Sequence, residues 1–211
     1  MGDMAGALLP LFPLHVVVFP RTALPLHIFE ERYKEMVGNA IRDNSEFGVV
    51  LAKEEGIVNA GCTVVVDQLL QMHPDGRMDV VTNGRRRFEI QSLNEDKEYL
   101  QAEVAYFDDE DFAPAPAELR NETLSQWHVL SKFGAASERE PNLEDPQLSF
   151  QVAQMVPDLD FQNSLLRHRS ETARLRQLNK YLAEYIPRQK TIERMKAIAP
   201  TNGFGGKPAG I

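Results

Sequence analysis

The sequence predicts an α+β protein, with a β-rich part carrying one inserted helix over residues 8–107 and a helical part over residues 117–198. Three observations carry this. Short apolar runs punctuated by Gly, Pro, Asn and Asp crowd the stretch from Phe47 to Phe107. A single run with helical spacing, Phe29 to Ile41, interrupts the N-terminal part. Beyond an acidic and Pro/Ala-rich junction at residues 108–116, the apolar spacing is helical.

Taken in order, the chain opens on Leu9-Pro10-Leu11-Phe12-Pro13-Leu14, whose prolines restrict φ and bar a helix, so an extended segment is expected. In the helical run, Phe29, Tyr33, Met36, Val37, Ala40 and Ile41 recur on one face, with Glu30, Glu31, Lys34, Glu35 and Arg42 on the other. Gly38 weakens the end of this helix. Strands are then expected at Phe47–Lys53, Cys62–Met72, Arg77–Thr82, Arg85–Leu93 and Tyr99–Phe107. Turns are expected at Pro74-Asp75-Gly76, at Asn83-Gly84 and over Asn94–Glu98. So many antiparallel strands in so short a stretch are expected to curl into a barrel, which removes exposed edges.

The junction Asp108-Asp109-Glu110-Asp111 and Ala113-Pro114-Ala115-Pro116 reads as a linker over residues 108–116, without the ligand spacing of a calcium loop. A first helix follows from Ala117 to Phe133 with Leu124, Trp127 and Leu130, then a loop from Ser137 to Leu143. Asp145-Pro146 offers an N-cap and a first-turn proline for a short helix ending before Pro157. Asp160 is the expected cap of one long last helix with the stripe Leu175, Leu178, Leu182, Tyr185, and Glu171 with Arg174 has the spacing of a surface pair. Residues 199–211 are expected to be disordered.

A chain of 211 residues buries roughly 70% of the surface its unfolded form exposes, enough for a sizeable core. Cys62 is the sole cysteine, which excludes an intrachain disulfide and a multi-cysteine zinc site, and it reads as a small apolar core residue. The start of the chain has neither the basic nor the apolar segment of a signal peptide, and no run reaches the roughly 20 apolar residues of a membrane span. A cytoplasmic protein without membrane contact is expected. The net charge of -8 is uneven: residues 1–157 hold 13 Lys/Arg against 26 Asp/Glu, and residues 158–211 hold 10 against 5. An acidic main body repels a phosphate backbone and disfavours nucleic acid as a partner.

The opening Leu9–Leu14 run, followed by Val18-Phe19-Pro20, Leu24-Pro25-Leu26-His27-Ile28-Phe29-Glu30 and Arg32-Tyr33, is similar to the start of the N-terminal substrate-recognition domain of Lon proteases. Phe47-Gly48-Val49-Val50, Gly61-Cys62, Asp75-Gly76-Arg77, Gly84 with Arg87-Phe88, and Leu165-Leu166 match in the family's order. The resemblance spans about residues 8–196. It implies a PUA-like β pseudo-barrel with an inserted helix, followed by a C-terminal helical bundle. A complete Lon also needs a Gly-rich phosphate loop and a Ser-Lys pair on further domains, for which 211 residues leave no room. Gly206-Lys207 fails as a phosphate loop, with Thr201 in place of the first glycine and Pro208 in place of the Ser/Thr. The expectation is therefore a stand-alone recognition module.

Residue chemistry adds no catalytic candidate. His15, His27, His73, His128 and His168 form no metal-binding spacing, so packing or surface roles are expected, with His27 bonded to backbone or to Glu30. No metal and no cofactor is expected, and no Ser/His/Asp or Cys/His set can be assembled. Arg85-Arg86-Arg87 is the sharpest basic cluster, but alternation along a strand leaves at most two on a face. Structural pairing with acidic neighbours such as Asp79 and Glu89 is expected. Arg167, Arg169, Arg174, Arg176 and Lys180 read as the solvated surface of the last helix. The expected function is non-catalytic binding of unfolded or partly exposed polypeptide, as an adaptor or holdase, with a separate protease as a candidate recipient. Phe29, Tyr33 and Trp127 are candidate contacts in a groove between barrel and bundle, with a core-packing role as the equal alternative for each. The alternatives are a PUA-like nucleic-acid binder and an enzyme with an unrecognised site; oligomeric state is left open.

Overall fold

The computed structural model describes residues 8–111, 113–133 and 140–198. The strands are β1 (Leu9–Leu14), β2 (Ala23–Ile28), β3 (Phe47–Lys53), β4 (Gly56–Met72), β5 (Met78–Asn94) and β6 (Gln101–Phe107). The helices are α1 (Glu31–Asp43), α2 (Ala117–Leu130, followed by a 3-10 turn at Ser131–Phe133), α3 (Leu148–Ala153), α4 (Leu159–Arg167) and α5 (Glu171–Ile198). They fall into two compact units, Met1–Phe112 with Val156–Ser170, and Ala113–Met155 with Glu171–Ile211. The tail expected at 199–211 lies outside the described residues.

In the first unit the sheet order is β2-β5-β4-β3-β1-β6, and β6 also pairs with β5, so five strands close a ring and β2 lies outside it. β3 to β6 form the expected antiparallel meander, whereas β1 runs parallel to β3, the crossover between them being β2 and α1. β4 and β5 form one long ribbon with register shifts near Thr63, Asp67 and Leu70, and such bulges bend a ribbon enough to close a barrel. The core gathers Phe12, Ile28, Phe47, Val64, Met78 and Val80 with the inward face of α1: Tyr33, Met36, Val37 and Ala40. Helix α1 continues past Gly38 and stops at Asn44, which takes a left-handed φ of 47°.

Asn83-Gly84 is not a turn. Strand β5 runs through it, with Asn83 paired to Ala23 on one side and Val65 on the other. Gly84 exchanges backbone hydrogen bonds with the 19–22 bend, donating to Thr22 O and accepting from Arg21 N, and a Cβ there would overlap the Phe19 carbonyl. The glycine serves close backbone approach. At the other expected turn, His73 N donates to Arg77 O, and Gly76 supplies a φ of +82°.

The C-terminal boundaries also differ from expectation. Residues 156–170, including Leu165-Leu166, belong with the sheet. Arg87 on β5 donates to the carbonyls of Leu166 (3.1 Å) and His168 (2.7 Å), and Glu110 N donates to Arg169 O. The expected single last helix is two helices interrupted at 168–170. Asp158 caps α4 by accepting from Phe161 N, while Asp160 lies within α4 and pairs with Lys53. Helix α3 starts at Leu148; Asp145 accepts from Gln147 N and the Gln151 side chain just ahead of it.

The second unit packs α2, α3 and α5 around Trp127, Leu130, Leu148, Phe150 and the expected Leu175, Leu178, Leu182 stripe. Its interior is partly polar. Thr123 donates to Asn179 at 2.6 Å, and Glu171 and Arg174 form a buried pair with Ser149. The expected surface pair is thus a core network, because α3 covers it: Ser149 N and Oγ both donate to the Glu171 carboxylate.

Candidate functional site

The β4–β5 ribbon changes character along its length. β3 pairs with β4 only as far as Phe47 opposite Val64, so from Val65 to Met72 β4 is bonded to β5 alone. Among the described residues its other edge is open. Every residue from Asp67 to Met72 is exposed, including Leu70 (61%), Met72 (56%) and Leu69. Leu70 sits at a register shift between Leu69 and Gln71, which turns its side chain out of the regular pleat. An open strand edge beside exposed aliphatic side chains is what an extended polypeptide needs in order to add as a further strand.

A second feature lies at the same end. His27 and Asp79 are cross-strand partners on β2 and β5, Gln71 on β4 faces Asp79 from the other side, and His73 follows Gln71 by two. Alternation sends Ile28, Met78 and Val80 into the core and leaves these polar residues on the opposite face. His27 Nδ1 lies 2.6 Å and His73 Nε2 2.8 Å from the two oxygens of Asp79. These bonds hold the Asp79 carboxyl below its ordinary range. His27 therefore bonds Asp79, not the backbone or Glu30. The sequence does not reveal the trio because its members meet only through strand register, although the Met78-Asp79-Val80 alternation marks Asp79 as outward.

Of the residues picked from the sequence, Phe29 is 60% exposed and its ring lies 6.0 Å from that of His27. Tyr33 and Trp127 are each only 7% exposed, packed in the cores of the first and second units. Tyr33 contacts Phe12 at 4.1 Å between ring centres, and burial raises its hydroxyl pKa. Neither ring offers a surface to a ligand.

Arg85 and Arg86 are both exposed and Arg87 is buried, because the β4–β5 register shifts opposite Thr63 and interrupts the expected alternation, and the partners of Arg86 and Arg87 are other than those expected. Arg86 pairs with Glu46 and lies over the Tyr106 ring, whereas Arg87 is buried and bonded to Asp109 at 2.7 Å. Asp79 belongs to the histidines, and Glu89 approaches Arg169. Arg174 is buried, so the basic residues of the C-terminal part do not form one solvated face. Cys62 is fully buried, and desolvation pushes its thiol up to about 12, which leaves no thiolate for chemistry. A cleft lined by His15, Lys53, Glu54, Glu55, Asp158 and Asp160 is of mixed charge, with Lys53 paired to Asp160.

Compared with known proteins, residues 8–196 match the family model of the ATP-dependent protease La (LON) substrate-binding domain. The chain belongs to this family. It is 30% identical over 116 residues to a Lon protease of Parabacteroides distasonis and 31% identical over 112 residues to one of Anaeromyxobacter dehalogenans. Those matches take in 51% and 49% of this chain but only 14% and 13% of the proteases. The crystal structure of a Lon N-terminal domain protein from Xanthomonas campestris has a TM-score of 0.66 at 26% identity, covering 82% of this chain and 96% of that one. The N-terminal domain of a Mycobacterium avium complex Lon protease shares the fold, with a TM-score of 0.61 at 16% identity. The family match concerns the substrate-binding domain, not the ATPase or peptidase domains. No helix among the described residues is long and apolar enough to cross a membrane.

Proposed function

We infer that this Lon-type domain is a non-catalytic module that holds unfolded or partly exposed polypeptide, as an adaptor or holdase, and that the open edge of β4 from Val65 to Met72 is where it does so. The observation that supports the reading most is that unpaired edge flanked by exposed Leu69, Leu70 and Met72. Backbone hydrogen bonds supply sequence-tolerant affinity, and the three side chains select apolar segments. Phe29, exposed on the neighbouring face, extends the apolar surface toward β2. Tyr33 and Trp127 act as core residues that hold the two units in shape.

Fluorescence anisotropy with a permanently unfolded, labelled polypeptide tests the reading. Saturable binding is expected, little changed between low and high salt. It should weaken at least about tenfold in L69S/L70S/M72S, since each buried leucine-sized side chain contributes about 1.5–3 kcal/mol. Absence of binding to a broad peptide array would overturn the reading. RNA binding that collapses with salt would favour the nucleic-acid alternative instead.

A further inference from the structure

We propose that His27, His73 and Asp79 form a binding site for a divalent transition cation of the zinc class, a role separate from polypeptide binding and independent of it. The ligand atoms, two imidazole nitrogens and a carboxylate oxygen, all lie within 4.8 Å of one another. They are delivered by three different backbone segments whose positions are fixed: His27 and Asp79 by direct β2–β5 pairing, and His73 by the turn closed through His73 N to Arg77 O at 2.8 Å.

The donor set selects the cation. Magnesium and calcium prefer all-oxygen shells, whereas two imidazoles and one carboxylate suit zinc and its neighbours in the first transition row. The geometry is close to what such an ion requires. With metal–ligand distances of about 2.0–2.2 Å, two ligands on one tetrahedral ion sit roughly 3.3 Å apart. The present contacts of 2.6 and 2.8 Å must therefore open by less than about 1 Å. His27 is about half exposed, and His73 and Asp79 retain solvent contact, so the side chains have room for that adjustment and water can complete the shell. Both nitrogens already hydrogen-bond the carboxylate, so the cation takes the place of the proton in each His–Asp bond.

Calorimetric titration of the whole protein with zinc chloride tests this. One saturable site per chain is expected, weakened more than about 10-fold by His73→Gln or Asp79→Asn, since loss of an outer-sphere partner alone costs about 10–100-fold. His128→Gln, at an exposed histidine of the second unit, should leave it unchanged. NMR of the histidine rings in the unmodified protein should show His27 and His73 responding to zinc while His15 and His128 do not, a readout that needs no variant to fold. No saturable binding, or binding that leaves the His27 and His73 rings unperturbed, would overturn the proposal.

Discussion

The two halves of the β4–β5 ribbon share one backbone and use their side chains in opposite ways. In the half that belongs to the barrel, Ala60, Cys62, Val64, Arg87 and Phe88 are buried, and even the charged member is enclosed by Asp109 and two carbonyl oxygens. In the other half, Asp67 to Met72 are all exposed, β4 has an open edge among the described residues, and the polar residues His27, His73 and Asp79 meet at the surface. The first half is organised for stability. The second keeps unpaired backbone and apolar surface that contribute little to the core, and such surface is the common mark of a binding region. The difference arises where β3 stops: beyond Val64 the outer side of β4 has no partner strand among the described residues, while β5 still buries Met78 and Val80 beside Ile28 and α1.

The contrast is open to mutation, and the second unit sets the upper end of the scale. Arg174→Met leaves the buried Glu171 carboxylate without its cation and should lower stability in urea by about 3–5 kcal/mol at neutral pH. Burial raises the Glu171 pKa, against the opposing pull of Arg174 and Ser149, and loss of Arg174 raises it further. A folded pKa above the unfolded one adds stability that is complete below the unfolded value and is lost as pH rises through the folded one. The deficit of the variant should therefore shrink on acidification from neutrality towards about pH 4.5, in thermal melts across that range.

In the barrel half, Arg87→Met should cost about 3 kcal/mol by the same measurement, the lower end of the range because Asp109 keeps some contact with water. Gly84→Ala should cost about 1–3 kcal/mol, since the added methyl group meets the Phe19 carbonyl in a backbone contact that has no room to relax. In the other half, L69S/L70S/M72S should change unfolding free energy by no more than about 0.5 kcal/mol while weakening polypeptide binding. A large stability loss there would mean the open edge is covered in the folded protein, and the comparison between the halves would fail.

Local pattern made some of this legible. The α1 face of Met36, Val37 and Ala40 and the α5 stripe of Leu175, Leu178 and Leu182 follow from spacing, because helical periodicity is a property of consecutive residues. The Pro74-Asp75-Gly76 turn follows from the need for a positive φ at Gly76. Asn83-Gly84 misled because the same dipeptide serves a tight turn or a close backbone approach, and only the 19–22 bend lying against Gly84 decides between them. Glu171 and Arg174 misled because their spacing is identical on a solvated face and under α3. At the candidate site, Phe29 reads in the sequence as part of the buried face of α1, whereas it stands exposed ahead of the helix, and the open edge, the exposed Leu70 and the His27–Asp79–His73 trio leave no local pattern.

By itself, then, the sequence determined the class of the fold, its family and the succession of a β-rich part by a helical one, since propensity, turn chemistry and the opening Leu-Pro run are written in neighbouring residues. Tertiary structure alone decided that β1 lies parallel to β3, that Val156–Ser170 returns to the sheet, and which arginines are buried. It also decided where the sheet is left open. Each of these depends on register and on contacts between residues tens of positions apart, which no local pattern encodes.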